Sequence, residues 1–218
     1  MYRPGFRLSG WLPGRRPFKI DAGSLYVILR GCKFFCVYGG KILPIRFRYF
    51  FLTTERIGFS EWQEDDIELA KLLWGEPSVT RFICASGKFS EDDIVSRLKK
   101  EIDINFKFHV QYWPIFKMAS NELIGCCGLW PYKGRKYELG FHLRSKFWRQ
   151  GYAVEAATAV IGYAFTVLKA EGLFAGHNPQ NIASQKVLSK LGFHYIGDEF
   201  YEPTGRYHPS YELISNSK

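Results

Sequence analysis

Long apolar runs, acidic residues near the start and an even set of cysteines are all missing from this 218-residue sequence. The longest apolar candidate, Leu25 to Gly40, is broken by Arg30 and Lys33, so no segment has the length of a membrane span. The same stretch lacks the layout of a secretory signal, because its apolar part is interrupted and no small-residue cleavage site stands out. Internal repeats and low-complexity tracts are absent as well. The five cysteines, Cys32, Cys36, Cys84, Cys126 and Cys127, cannot all pair with one another. Cys126 and Cys127 lie in an apolar run and read as small buried hydrophobes, while Cys32 and Cys36 lack a second ligand pair for zinc. A reducing, cytoplasmic location and a metal-free protein are expected.

The shortage of acid is local. Residues 1–50 hold ten Lys and Arg against one acid, Asp21, and the rest of the chain balances 20 bases with 20 acids. All of the formal +9 charge therefore belongs to the N-terminal stretch, which argues against a whole-domain nucleic-acid surface. That stretch, "RPGFRLSGWLPGRRP" followed by an aromatic and basic run, shows at most short strand-like pieces. It reads either as an arm for RNA, the ribosome or a membrane surface, or as an extension from a start codon set too far upstream.

What the sequence does have is a well-patterned remainder, within a composition that is 46% hydrophobic and 17% aromatic. The expected organisation is an extension over residues 1–51, one domain over 52–214 and a tail at 215–218. "TTERIGF" suggests a strand, and "SEWQEDDIELAKLLW" a helix with Ile67, Ala70 and Trp74 on one face. "SEDDIVSRLKKEI" opens with Ser90 and Asp93 in a capping-box spacing, with Ile94, Leu98 and Ile102 on its apolar face. Three strands follow, "HVQYWPIFKMA", "ELIGCCGLW" and "KYELGFHLR", joined by turns at Ser120-Asn121 and Lys133-Gly134. The order then becomes helix (Val154 to Leu168), strand ("LFAGH"), helix, strand ("HYIGDEF") and strand ("SYELI"). Hairpins followed by helical connections imply an α/β fold with a mixed sheet.

Two stretches carry chemistry. "FHLRSKFWRQGYAVEAATAV" joins a strand to a helix through Arg149, Gln150, Gly151, Tyr152 and Ala153. Gly151 allows close backbone approach, and the helix N-terminus with Arg149 beside it suits a pyrophosphate. In "NPQNIASQKVLSKLGF", Asn178 or Asn181 caps a helix, Pro179 suits its first position and Gly192 ends it. Polar Asn181 and Ser184 share its opening turn, as a cap or as a binding pair. Glu138 and His142 lie on the strand before the first loop. Glu138 reads either as a proton relay or as a hairpin carboxylate paired with a base, and a lone strand histidine such as His142 is usually structural. "YEPTGRYHPSY", Tyr201 to Tyr211, reads as a loop whose Tyr207, His208 and Tyr211 either roof a pocket or pack a rigid turn.

Together, "FWRQGYAVEA" and "NPQNIASQKVLSKLGF" at this separation resemble the GCN5-related N-acetyltransferases (GNAT). The branch most similar is the one containing the ribosomal-protein N-terminal acetyltransferases, whose first strand "LTTERI" also resembles. The resemblance spans about Leu52 to Ile214. One departure is Trp148, three residues before the loop glycine, where the broader family prefers Gln or Arg; this leaves the anion to backbone N–H groups and Arg149. The resemblance implies a central mixed sheet flanked by helices, with acetyl-CoA as co-substrate and no metal. It implies acetyl transfer to a primary amine, with a protein N-terminus as the candidate acceptor. Small-molecule amines such as aminoglycosides or polyamines, and a non-catalytic acyl-CoA-binding module, remain alternatives. By the same match Asn181 contacts the pantetheine or acetyl region, and Ser184 gives a proton to the departing thiolate. A strand bulge near His142 and Leu143 would free backbone N–H groups for the acetyl carbonyl.

Overall fold

The computed structural model describes residues 48–215, together with the backbone of three strands before them. The chain divides into two compact units, the second beginning at Tyr49. In the first unit β1 (Tyr26–Arg30), β2 (Lys33–Tyr38) and β3 (Lys41–Ile45) form an antiparallel meander. The expectation of short strand-like pieces falls here. The basic arm's side chains, with Cys32 and Cys36, lie outside the described residues.

The second unit holds an eight-stranded sheet in the order β10-β11-β9-β8-β7-β6-β5-β4. "TTERIGF" is not one strand but a hairpin of β4 (Leu52–Thr53) and β5 (Ile57–Phe59). The expected boundary at residue 52 is also late. Phe51 donates its N–H to Phe59 O and packs on Trp113 and Tyr163, and Phe50 lies against Phe116.

Three helices follow β5. The first, α1 (Ile67–Trp74), is shorter than expected, because Ser60 to Asp66 stay irregular. After α2 (Pro77–Thr80) comes α3 (Glu91–Phe108), opened by a complete capping box between Ser90 and Asp93. Ile94 and Leu98 are buried on α3 as expected, but the third buried position is Glu101, which is 0% exposed. The strands β6 (Tyr112–Lys117), β7 (Glu122–Pro131) and β8 (Lys136–Leu143) form antiparallel hairpins at the expected turns.

Strand alternation sends neighbouring residues to opposite faces. Cys126 joins the layer formed with α1 and α3, and Cys127 joins the layer under α4 (Tyr152–Thr166). The small residues Ala156, Ala157 and Ala164 let α4 sit close on β7 and β8. Next come β9 (Gly172–Gly176), α5 (Ile182–Lys190), β10 (His194–Tyr201) and β11 (Arg206–Ile214). The stretch read as a loop, Tyr201 to Tyr211, is therefore mostly strand. Pro209 is tolerated because its carbonyl, and hence its missing N–H, faces the side where β9 has already ended; His177 N donates to Pro209 O there.

Candidate active site

The site begins where two central strands part. β8 and β9 run parallel only from Lys136↔Gly172 to Glu138↔Phe174, and then separate. A cavity of about 830 Å³ fills the gap, running from the N-terminus of α4 past β8 to Glu138, Tyr201 and His208.

The expected bulge near His142 is absent, since β7 and β8 keep one register from Gly125↔Leu143 to Pro131↔Tyr137. Arg144 N donates to Ile124 O and Tyr132 N to Lys136 O, both in that register. The even-numbered residues of β8 thus bond to β7, and by alternation the N–H groups of Phe141 and Leu143 face the gap. His142 N–H points toward β7, so the backbone donors belong to Phe141 and Leu143. Splaying of strands supplies them where a bulge was expected.

At one end of the cavity, Arg149 (φ 60°) and Gly151 (φ 82°) both adopt left-handed backbone, turning the chain sharply into α4. Gly151 caps α4 without a side-chain hydrogen bond, so the first-turn N–H groups remain open donors at the cavity wall. Arg149, Gly151, Tyr152 and Ala153 line the cavity, which fits the pyrophosphate of coenzyme A. Gln150 does not line it: its Nε2 donates to Lys146 O and its carbonyl accepts from Arg56. Arg56 also pairs with Glu155 and lies 4.4 Å over the Tyr152 ring, while Thr54 donates to the same carboxylate. The β4–β5 hairpin thereby pins the first turn of α4. Trp148 donates Nε1 to Leu143 O, which fixes the loop against the end of β8.

Across the gap, Asn181 caps α5 by accepting from Ser184 N at 3.2 Å. Asn178 instead closes a tight turn by accepting from Gln180 N, and Pro179 lies in that turn, before the helix begins. Gly192 (φ 81°) ends α5 as expected. Asn181 and Ser184 both line the cavity, and the Ser184 hydroxyl has no hydrogen-bond partner among the described residues.

The far end is built from side chains. Glu138 is largely enclosed; burial raises its pKa above the ordinary carboxylate range, against the opposing effects of the nearby Tyr112 hydroxyl, Arg97 and Lys100. His142 is pushed down to about 3 by burial and by Arg97. Its Nδ1 accepts from Trp74 Nε1 at 3.2 Å, so the ring stays neutral and structural. Of the three residues expected to roof an acceptor pocket, only His208 lines the cavity, bonded through Nε2 to Thr204. Tyr207 is 65% exposed on the β10–β11 hairpin, and Tyr211 is buried against His177 and Tyr195.

Several residues at this end had no sequence signal. Buried Glu101 accepts from Tyr112 N, Trp130 Nε1 and Arg97 Nε, tying α3 to β6 and β7. Arg97 sits against the rings of Trp130, Trp74 and Tyr112 at 4.6 to 5.4 Å. Tyr132 stacks on Phe174 at 4.3 Å and reaches Glu199, adding an aromatic wall and a second carboxylate to the cavity. Among the described residues no group of three His, Cys, Asp or Glu is placed to hold a metal, and no helix is long and apolar enough to cross a membrane.

Known proteins share this fold. The family model for the acetyltransferase (GNAT) domain matches residues 56–194. An uncharacterized N-acetyltransferase, p20 of Bacillus licheniformis, is 26% identical over 148 residues, covering 67% of this chain and 83% of its own. A GNAT-family acetyltransferase from Bacillus anthracis superposes with a TM-score of 0.64 at 24% identity, over 75% of this chain and 97% of that one. RimL, a ribosomal L7/L12 alpha-N-protein acetyltransferase in complex with coenzyme A, gives 0.64 at 16% identity, over 76% and 98%. Those two structures show the fold, and the family match covers well over half of the chain: this protein belongs to the GNAT family of acetyltransferases.

Proposed function

We propose that the protein moves the acetyl group of acetyl-CoA to the primary amine of a protein N-terminus. The observation that carries this reading is the parting of β8 from β9, which places open backbone donors, an open helix N-terminus and an enclosed carboxylate along one cavity. Acetyl-CoA supplies the activated acyl group. The first-turn N–H groups of α4 and Arg149 hold its pyrophosphate. Phe141 and Leu143 donate N–H to the carbonyl oxygen as negative charge develops there. Glu138 takes the proton from the attacking amine, and its raised pKa makes it a better base than an ordinary carboxylate. The unpartnered Ser184 hydroxyl donates to the departing sulfur, and Asn181 holds the turn that presents it. RimL's action on an α-amino group supports a protein acceptor by likeness of fold.

A small cationic amine is the second reading, favoured by the Tyr132, Trp130 and Tyr201 rings around two carboxylates, Glu138 and Glu199. An acceptor screen with acetyl-CoA and thiol detection separates the two. Peptides with free N-termini should release thiol well above the rate without amine. Turnover with polyamines or aminoglycosides alone selects the second reading, and no thiol release above background with any amine leaves only an acyl-CoA-binding module.

A further inference from the structure

Pairing of β9 with β11 ends at Gly176↔Ser210, and a short connection then carries the chain out of the sheet to α5. His177 opens that connection. It is 6% exposed and lines the cavity, yet no step of the acetyl transfer uses it. β11 holds it twice: its backbone N–H donates to Pro209 O at 3.3 Å, and its ring stacks on buried Tyr211 with the centroids 5.4 Å apart. The imidazole also bridges two groups. Nδ1 lies 2.8 Å from Asn178 O, and Nε2 lies 3.4 Å from the Tyr211 hydroxyl. A carbonyl oxygen only accepts, so Nδ1 carries the proton, and the bare Nε2 accepts from the phenol. The Asn178 carbonyl takes a second donor, the N–H of Asn181 at 2.7 Å. That bond closes the turn over Pro179 and Gln180, with proline where its fixed φ suits. The Asn181 side chain then accepts from Ser184 N at 3.2 Å. A continuous line of hydrogen bonds thus runs from Tyr211, through His177 and the turn, to Ser184.

We infer that His177 is a positioning residue for the sulfur's proton donor: its Nδ1–H pins the Asn178 carbonyl and, through the Asn181 N–H, fixes the turn that sets Ser184 in the cavity wall. This rests on the reading of Ser184 as the group that donates to the departing sulfur. The hold acts on the backbone of Asn181 and is separate from the cap that its side chain makes. With both of its lone pairs engaged, the Asn178 carbonyl leaves the turn little freedom to tilt. Such a donor has to meet the sulfur within hydrogen-bond reach, and a displacement of about 1 Å costs on the order of a hundredfold in rate. A ring kept only for packing against Tyr211 would need no particular tautomer, and phenylalanine would replace it.

The test compares His177→Phe, which keeps a stacked ring and loses both nitrogens, with His177→Asn, whose side-chain amide donates from the place of Nδ1–H. With acetyl-CoA and a peptide bearing a free N-terminus, His177→Phe should lower kcat about ten- to a hundredfold and leave KM for acetyl-CoA nearly unchanged. His177→Asn should recover most of that loss. In a Ser184→Ala background His177→Phe should cost nothing further, because the hydroxyl it positions is gone. The proposal is overturned by a wild-type rate in His177→Phe, by an equal loss in the Ser184→Ala background, or by a His177→Asn as slow as His177→Phe. One measurement needs neither a variant nor an acceptor. The imidazole 15N shifts of His177 in the full wild-type chain should show the Nδ1–H tautomer, and the Nε2–H tautomer overturns the proposal. If Ser184→Ala itself keeps the wild-type rate, the reading of Ser184 falls and takes the proposal with it. A slowed Ser184→Ala beside an unslowed His177→Phe overturns the proposal alone.

Discussion

The two ends of the cavity are built by opposite means. The end proposed to hold coenzyme A is mostly backbone from one contiguous stretch, in which Arg149 and Gly151 turn the chain and the first turn of α4 leaves its donors open. The acceptor end is side chains drawn from α3, β6, β7, β8, β10 and β11. Backbone geometry depends on local sequence, so it tolerates variation elsewhere and repeats across a family. A constellation of side chains from six elements depends on the whole fold, so specificity for the acceptor can change there without disturbing the coenzyme site. Changes at the acceptor end should therefore alter the chemical step, and changes at the coenzyme end should alter binding.

The largest effect expected is that of Glu138→Gln, a loss of about a hundred- to ten-thousand-fold in kcat for one proton-transfer group. In the wild type the raised pKa places the acid limb above the ordinary carboxylate range, with rate lost as pH falls through it. In Glu138→Gln that limb should disappear, and rate should recover as pH rises and more of the acceptor amine is neutral. A pH profile like that of the wild type removes Glu138 as the base. Ser184→Ala comes next, with kcat reduced on the order of ten- to a hundredfold and acetyl-CoA affinity nearly intact. Stability should hardly change, because the cap of α5 is the Asn181 side chain and not the serine hydroxyl.

Gly151→Val tests the other end. A β-branched residue at φ 82° is strained, and its Cβ would sit 3.4 Å from Arg56 Nη2. Calorimetric titration should show coenzyme A bound at least about tenfold more weakly, for a strain of 1–3 kcal/mol carried by the bound loop. Equal affinity in the folded variant would detach the loop from the coenzyme. The smallest effect belongs to Asn181→Ala, which should cost about 1 kcal/mol in thermal or denaturant unfolding through the lost cap. If its main effect is instead a lower maximal rate, the turn contributes to chemistry as well as to capping.

Much of the scaffold could be read directly. The capping box at Ser90, the hairpin turns and the Gly151 loop are local signals, and each lies where its residues indicate. The errors share a cause. Tyr201 to Tyr211 has the composition of a loop, yet Arg206 to Tyr211 pair with β10, and β9 pairs with them from Ser210 onward. Tyr207 and Tyr211 consequently point away from the cavity wall that His208 joins. The bulge expected near His142 was a local device, whereas the open donors come from two strands parting, a property of the sheet.

By itself the sequence determined the succession of elements, the turn at Gly151 into α4 and the Asn181–Ser184 turn, because capping, left-handed glycine and apolar periodicity act over a few residues. Only the tertiary structure decided what faces Glu138. Glu101 gives no signal in the sequence, yet it is a buried junction for Arg97, Tyr112 and Trp130. Tyr112 and Gly140 are 28 residues apart in the chain and meet only because two strand pairings bring Gly128 between them. Burial and cross-strand register are set by the packed sheet, and they turn an ordinary glutamate into an enclosed one with a raised pKa.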